Sequence, residues 1–164
     1  TIKPYKKKKY AIVTTGSEVF KGRIKDTFSP VIREKLAAFP SEEIGQIYVD
    51  DEKTHILEAI QKQIAAGADL IICTGGMSVD PVLPGAMMLV SYYTNETDGR
   101  VIPILGLPGC VMYAKRTIFD LVLPRVMAED EITAEDIARL GEGGLCLNCE
   151  VCTFPNCGFG KGGY

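Results

Sequence analysis

Tyr10-Ala11-Ile12-Val13-Thr14-Thr15-Gly16-Ser17-Glu18 is an apolar run closed by two threonines, a glycine and two polar residues. A short continuous apolar run bounded by a turn residue reads as a strand buried on both faces. Leu70-Ile71-Ile72-Cys73 repeats the pattern and runs into Thr74-Gly75-Gly76. Three further runs fit around these two: Ile44 to Val49, Met87 to Tyr92, and Val101 to Leu105. Between them lie segments of helical period. Phe28, Val31, Ile32, Leu36 and Phe39 form one, with Pro30 in its first turn. Ile56, Ile60 and Ile64 form another, with Thr54 as its N-cap and Gly67 as its stop. Val111 to Leu123 reads as a helix stopped by Pro124, and Thr133 to Leu140 as a short helix ending at Gly141. Strands alternating with helices, and strands apolar throughout, predict an α/β fold: a three-layer sandwich around a mostly parallel central sheet.

In such a sheet, ligands bind beyond the C-terminal strand ends. The first strand delivers Gly16, Ser17 and Glu18 there, the second Asp50 and Asp51, and the third Thr74-Gly75-Gly76-Met77-Ser78-Val79-Asp80. The fifth delivers Gly106-Leu107-Pro108-Gly109 just before a helix. Paired glycines followed by serine expose backbone N–H groups, and such a nest suits phosphate or another oxyanion. A helix opening at Pro108-Gly109 adds further free amides. Glu18, Asp50 and Asp80 would repel a bare phosphate, yet they suit Mg²⁺ or a hydrogen-bonding ring. Each element alone also fits a plain turn. Together they describe a site for an anionic ligand with a polar ring.

The connection from Thr74 to Ala86 is too short and too rich in glycine and proline for a parallel crossover. Either it is not a crossover, or residues are absent near positions 80–82; the sequence favours absence. Residues 1–9 read as a linker from an absent N-terminal region, with Lys3 and Lys6 to Lys9 as a solvated basic cluster. Residues 10–128 form the domain, and 129–164 a short helix with a cysteine tail. The 164-residue chain is 46% hydrophobic and 24% charged, with a net charge of −3. That balance argues against general nucleic-acid affinity. No apolar run suggests a membrane span, and a cytoplasmic location is expected. His55 is the single histidine, and no Ser-His-Asp triad can be built around it.

Cys146-x2-Cys149-x2-Cys152-x4-Cys157 puts four thiolates within twelve residues, which favours a metal centre over disulfides. A [4Fe–4S] cluster and a tetrahedral Zn²⁺ are both compatible with the spacing, and free or redox-active thiols are a third reading. Glycines surround the cysteines, so metal would supply the order of this segment.

Thr15-Gly16-Ser17-Glu18, Thr74-Gly75-Gly76-Met77-Ser78-Val79 and Gly106-Leu107-Pro108-Gly109 resemble, in identity and order, the three motifs of the molybdopterin-binding domain. That domain is shared by molybdopterin adenylyltransferase, molybdopterin molybdotransferase and gephyrin, and the resemblance runs from about Tyr10 to Val126. It implies that Gly16, Ser17, Glu18, Asp50, Thr74, Gly75, Gly76, Ser78, Pro108 and Gly109 face the pterin or its phosphate. Asp26, after Gly22-Arg23-Ile24, resembles the acidic residue of the loop entering the first helix. With Glu18 and Asp50 it would position the pterin or Mg²⁺. The resemblance implies binding of molybdopterin or its adenylylated form in molybdenum-cofactor biosynthesis. ATP or molybdate would be co-substrate, in a homodimer or homotrimer. Cys110-Val111 stands where molybdotransferases carry Asn-Pro, which argues against molybdate insertion. Val82-Leu83-Pro84-Gly85 resembles a later family segment. The whole pattern is similar to bacterial members with an N-terminal extension. A non-catalytic cofactor sensor or carrier, with the cysteine tail docking a partner, is the alternative reading; an unrelated nucleotide-binding domain is a third.

Overall fold

Strand β1 (Lys8–Thr15) pairs in parallel with β2 (Ser41–Val49) on one side and with β3 (Leu70–Thr74) on the other. The computed structural model describes residues 2–75 and 88–161. β5 (Val101–Leu107) adds in parallel to β3, and β4 (Leu89–Thr94) closes the far edge antiparallel to β5. The sheet order is β2-β1-β3-β5-β4. Because strand side chains alternate, β1 feeds two cores. Tyr10 and Ile12 pack with α2 (Phe28–Leu36) and α4 (Ile118–Met127), while Ala11 and Val13 pack with α3 (Lys53–Ala65) on the opposite face. Ile12, Ile71 and Ile72 are fully buried, and each such side chain contributes about 1.5–3 kcal/mol. This is the expected three-layer α/β sandwich with a mostly parallel sheet. Among the described residues no helix is long and apolar enough to cross a membrane.

The structure departs from the sequence reading in several places, among them the start of α3, whose N-cap is Glu52 rather than Thr54. The fourth strand runs Leu89–Thr94 and is antiparallel to its neighbour. Thr74 and Leu89 therefore stand at the same edge of the sheet, while positions 80–82, where residues were expected to be absent, lie outside the described residues. β2 begins at Ser41, three residues before the expected start. The late helix is two pieces: a 3-10 turn, Gly109–Met112, and α4, which starts after Thr117 and continues through Pro124. A capping box between Thr117 and Asp120 sets that start and outweighs the proline downstream. Finally, the basic cluster is not all linker. Lys8 and Lys9 lie in β1, and Lys8 is buried, its ammonium 3.0 Å from Glu129.

Asp120 joins α4 to α2. Its carboxylate is buried and sits 2.7 Å from the Lys35 ammonium at both oxygens, with Arg116 at 2.9 Å and the Thr117 amide at 2.8 Å. Removing one partner of a buried pair strands the other charge. Asp120→Ala should therefore lower the unfolding free energy by about 3–5 kcal/mol in a urea titration. A loss of only a few tenths would show that water compensates Lys35 and Arg116.

Candidate ligand site at the C-terminal rim of the sheet

Parallel pairing brings four strand ends to one edge. Thr15 stands opposite Val49, Thr14 opposite Thr74, and Thr74 opposite Leu107. The turns that follow carry Gly16-Ser17-Glu18, Asp50-Asp51, Gly75, and Pro108-Gly109. The structure thus gathers Gly16, Ser17, Glu18, Asp50, Thr74, Gly75, Pro108 and Gly109 along a single rim. Gly76, Ser78 and Asp80 lie outside the described residues.

Short bonds lock the rim. The Thr15 hydroxyl donates to the Thr74 carbonyl at 3.0 Å. The Gly16 amide donates to the Val49 carbonyl at 3.1 Å. The Ser17 amide and hydroxyl both donate to Asp51, at 3.1 and 3.0 Å, which ties the β1 turn to the β2 turn. Gly75 has φ +84°, and a Cβ there would lie 2.0 Å from the Thr15 carbonyl oxygen. Only glycine fits that approach. Among the described residues, the buried Thr74 hydroxyl has no hydrogen-bond partner.

Glu18 is exposed on a single helical turn, α1 (Ser17–Phe20). Asp50 accepts from the Glu52 amide at 3.1 Å and faces His55 Nδ1 at 2.7 Å. The His55 hydrogen bond holds the Asp50 carboxyl below its usual range, and Asp50 in turn raises the His55 pKa. Beside this pair a cavity of about 270 Å³ opens between α1 and α3, walled by Phe20, Ile47, Val49 and Lys62. Asp26 is differently employed. It accepts from the Phe28 and Ser29 amides (2.9 and 3.1 Å), the Ser29 hydroxyl, Gln46 (2.8 Å) and Tyr48 (3.1 Å). Burial acts to raise its pKa, but the Ser29, Gln46 and Tyr48 hydrogen bonds outweigh it and lower the value. Asp26 therefore serves the start of α2 and its junction with β2. The expected helix at Pro108-Gly109 is one 3-10 turn, too short to build the aligned dipole of a longer helix. Sequence reading passed over the ties made by Asp51, Thr15 and His55; the Asp50-Asp51 pair beside the lone histidine was the available signal.

The cysteine tail forms a loop of its own. Cys146, Cys149, Cys152 and Cys157 all line one cavity of about 230 Å³ against Lys115 and Arg116. Among the described residues no three His, Cys, Asp or Glu side chains converge as ligands of one ion. The Phe154 amide and Arg116 lower the Cys152 thiol pKa.

Gly75→Ala should destabilise the protein by about 1–3 kcal/mol in chemical denaturation, since the forced backbone must move off Thr15. The Asp50–His55 pair has a definite pH window. The raised His55 pKa means its contribution is complete below 6.5 and fades as pH rises through the folded value. The depressed Asp50 pKa means the contribution holds above 3.8 and fades as pH falls below it. In an NMR titration of the single histidine, Asp50→Asn should bring the midpoint back toward 6.5; an unmoved midpoint would show that the pair does not form.

Comparison with known proteins agrees with this architecture. Residues 11–82 match the family described as "Probable molybdopterin binding domain". A molybdopterin adenylyltransferase of Pyrococcus furiosus is 31% identical over 71 residues, 43% of this chain and 41% of that protein. The match thus spans about two fifths of the relative's length. The structure of the tungsten cofactor synthesizing protein MoaB from Pyrococcus furiosus superposes with a TM-score of 0.60 at 18% identity, over 78% of this chain and 100% of that one. The molybdopterin biosynthesis enzyme MoaB from Thermus thermophilus gives 0.52 at 23% identity, over 72% and 91%. At these identities the structural likeness is one of fold. The family match runs over β1 to β3, less than half of the chain, and the structural likeness extends the shared fold across the rest of the sheet.

Proposed function

We propose that the chain binds molybdopterin across the rim and takes part in its adenylylation from ATP during molybdenum-cofactor biosynthesis. The observation that carries the reading is the meeting of Gly16-Ser17, Asp50, Thr74-Gly75 and Pro108-Gly109 at one sheet edge. The Thr74 hydroxyl, unpaired among the described residues, supports it, because a buried unpaired polar group costs about 1–3 kcal/mol unless a ligand satisfies it. The family match supports the pterin. The named adenylyltransferase relative favours adenylyl transfer over molybdate insertion, as does Cys110-Val111 after Gly109.

In that reaction a terminal phosphate oxygen of molybdopterin forms a bond to the α-phosphorus of ATP, and the bond to pyrophosphate breaks. Two anions must approach, so charge is the obstacle. Asp50 and exposed Glu18 are hard oxygen donors that suit Mg²⁺, and bound Mg²⁺ would neutralise phosphate charge. Asp51 holds the Ser17 turn in place, and Thr15 fixes the carbonyl ahead of Gly75. Gly76 and Ser78 are proposed to add amide and hydroxyl donors for the anion, and Asp80 to join the carboxylates that suit Mg²⁺.

The test is turnover of ATP with molybdopterin. Asp50→Asn should lower kcat/KM about 100-fold, the scale of losing one charge-stabilising group, with native far-UV circular dichroism. Tight pterin binding without turnover in the unaltered chain would leave the carrier reading. ATP binding without pterin binding would overturn both.

A further inference from the structure

The ends of the cysteine loop meet in a neck of glycine backbone. The Gly144 amide donates to the Gly158 carbonyl at 3.2 Å, and the Gly160 amide donates to the Gly144 carbonyl at 3.0 Å. A Cβ on Gly143 would lie 2.5 Å from the Gly160 carbonyl carbon. All four clustered cysteines sit within the loop so closed, and all four reach the same cavity. We propose that Cys146, Cys149, Cys152 and Cys157 ligate a [4Fe–4S] cluster in the cavity they line.

The spread of the cysteines favours the cluster over a single zinc ion. In a tetrathiolate zinc site, Zn–S bonds of about 2.3 Å place the sulfurs about 3.8 Å apart, in mutual contact around one point. Here four cysteines are among the residues that line a cavity of about 230 Å³, and among the described residues no three of them converge as ligands of one ion. A cube of irons and sulfides fills such a volume and holds its cysteine sulfurs well apart.

The walls suit a cluster. Leu147 and Phe154 give the cavity an apolar part of its lining. A four-thiolate cluster is an anion, and Lys115 and Arg116 supply opposite charge at its wall. The Arg116 guanidinium lies 4.8 Å above the Phe154 ring. Its buried Nε has no hydrogen-bond partner among the described residues. Sulfur atoms at that wall would accept from it, and hydrogen bonds to sulfur are one of the means by which proteins set cluster potentials. Lys115 donates to the Cys149 and Glu150 carbonyls and so pins the middle of the loop.

Loading is a ligand exchange. Four cysteine thiolates replace four small-molecule thiolates on a preformed cluster, and the core keeps its oxidation state. The full chain, freed of metal under argon, is therefore titrated with the [4Fe–4S] complex of a small thiol. The visible sulfur-to-iron charge-transfer band and the iron and sulfide content should rise to one cluster per chain. Cys149→Ser, at an exposed position, should abolish stoichiometric uptake. Cys73→Ser, far from the loop in β3, should leave it intact. Gly143→Ala should also lose the cluster by forcing the neck apart, while far-UV circular dichroism of the α/β domain stays the same. Uptake of one zinc per chain with rejection of the cluster would overturn the proposal. So would failure to take up any cluster by a chain whose circular dichroism is native. Pterin affinity is a separate readout, so this site stands or falls independently of the rim.

Discussion

β1 is hydrogen-bonded on both sides by parallel strands, and that double pairing fixes where everything else can lie. Parallel partners run the same way, so Thr15, Val49, Thr74 and Leu107 finish at one edge. The two cores then hold the sheet between α2 and α4 on one face and α3 on the other. At the rim the strands come so close that Gly75 has backbone where a side chain would be. The glycine is a consequence of the pairing. It is also what leaves backbone exposed to a ligand there. Packing and binding thus draw on the same atoms.

The central strands were legible because burial on both faces requires continuous apolar sequence. β1, β3 and β5 were read nearly to their ends. The edges were not. β2 starts in Ser41-Glu42-Glu43, which is polar because the sheet ends there, and Glu43 is held by Arg33 at 2.7 Å rather than by a core. β4 is half exposed, and its direction leaves no trace in periodicity. Without that direction the short link after Thr74 looked impossible. With it, no crossover is needed. At α4 the proline drew more notice than the Thr117–Asp120 box, although a cap acts at the helix start and a proline only removes one bond downstream.

Of the rim residues, the glycines and threonines were readable because backbone geometry demands them. The acids were harder, since an aspartate near a strand end can face a ligand or serve its own fold. Asp26 resolves that by its partners: two amides, two hydroxyls and one side-chain amide leave its oxygens occupied. Asp50 has the solvent-facing His55 and one amide, and keeps an accessible carboxylate. The distinction lies in who donates, which spacing cannot encode.

The tail docks on chain that the domain has already made rigid. Arg116 holds buried Asp120 with one nitrogen and offers its face to Phe154. Lys35 fixes the same carboxylate from α2. The guanidinium is thus held by the α/β core, so less freedom is lost where the loop meets it. Gly160 adds a second anchor by lying flat on Leu121 of α4, where a Cβ would approach within 2.4 Å. A segment with almost no core of its own depends on such fixed points to keep one shape. Both fixed points lie on the stretch of chain that leaves the rim through the 3-10 turn at Gly109. The C-terminal rim and the cysteine loop are thus built on opposite ends of one continuous segment, Pro108 to Leu121.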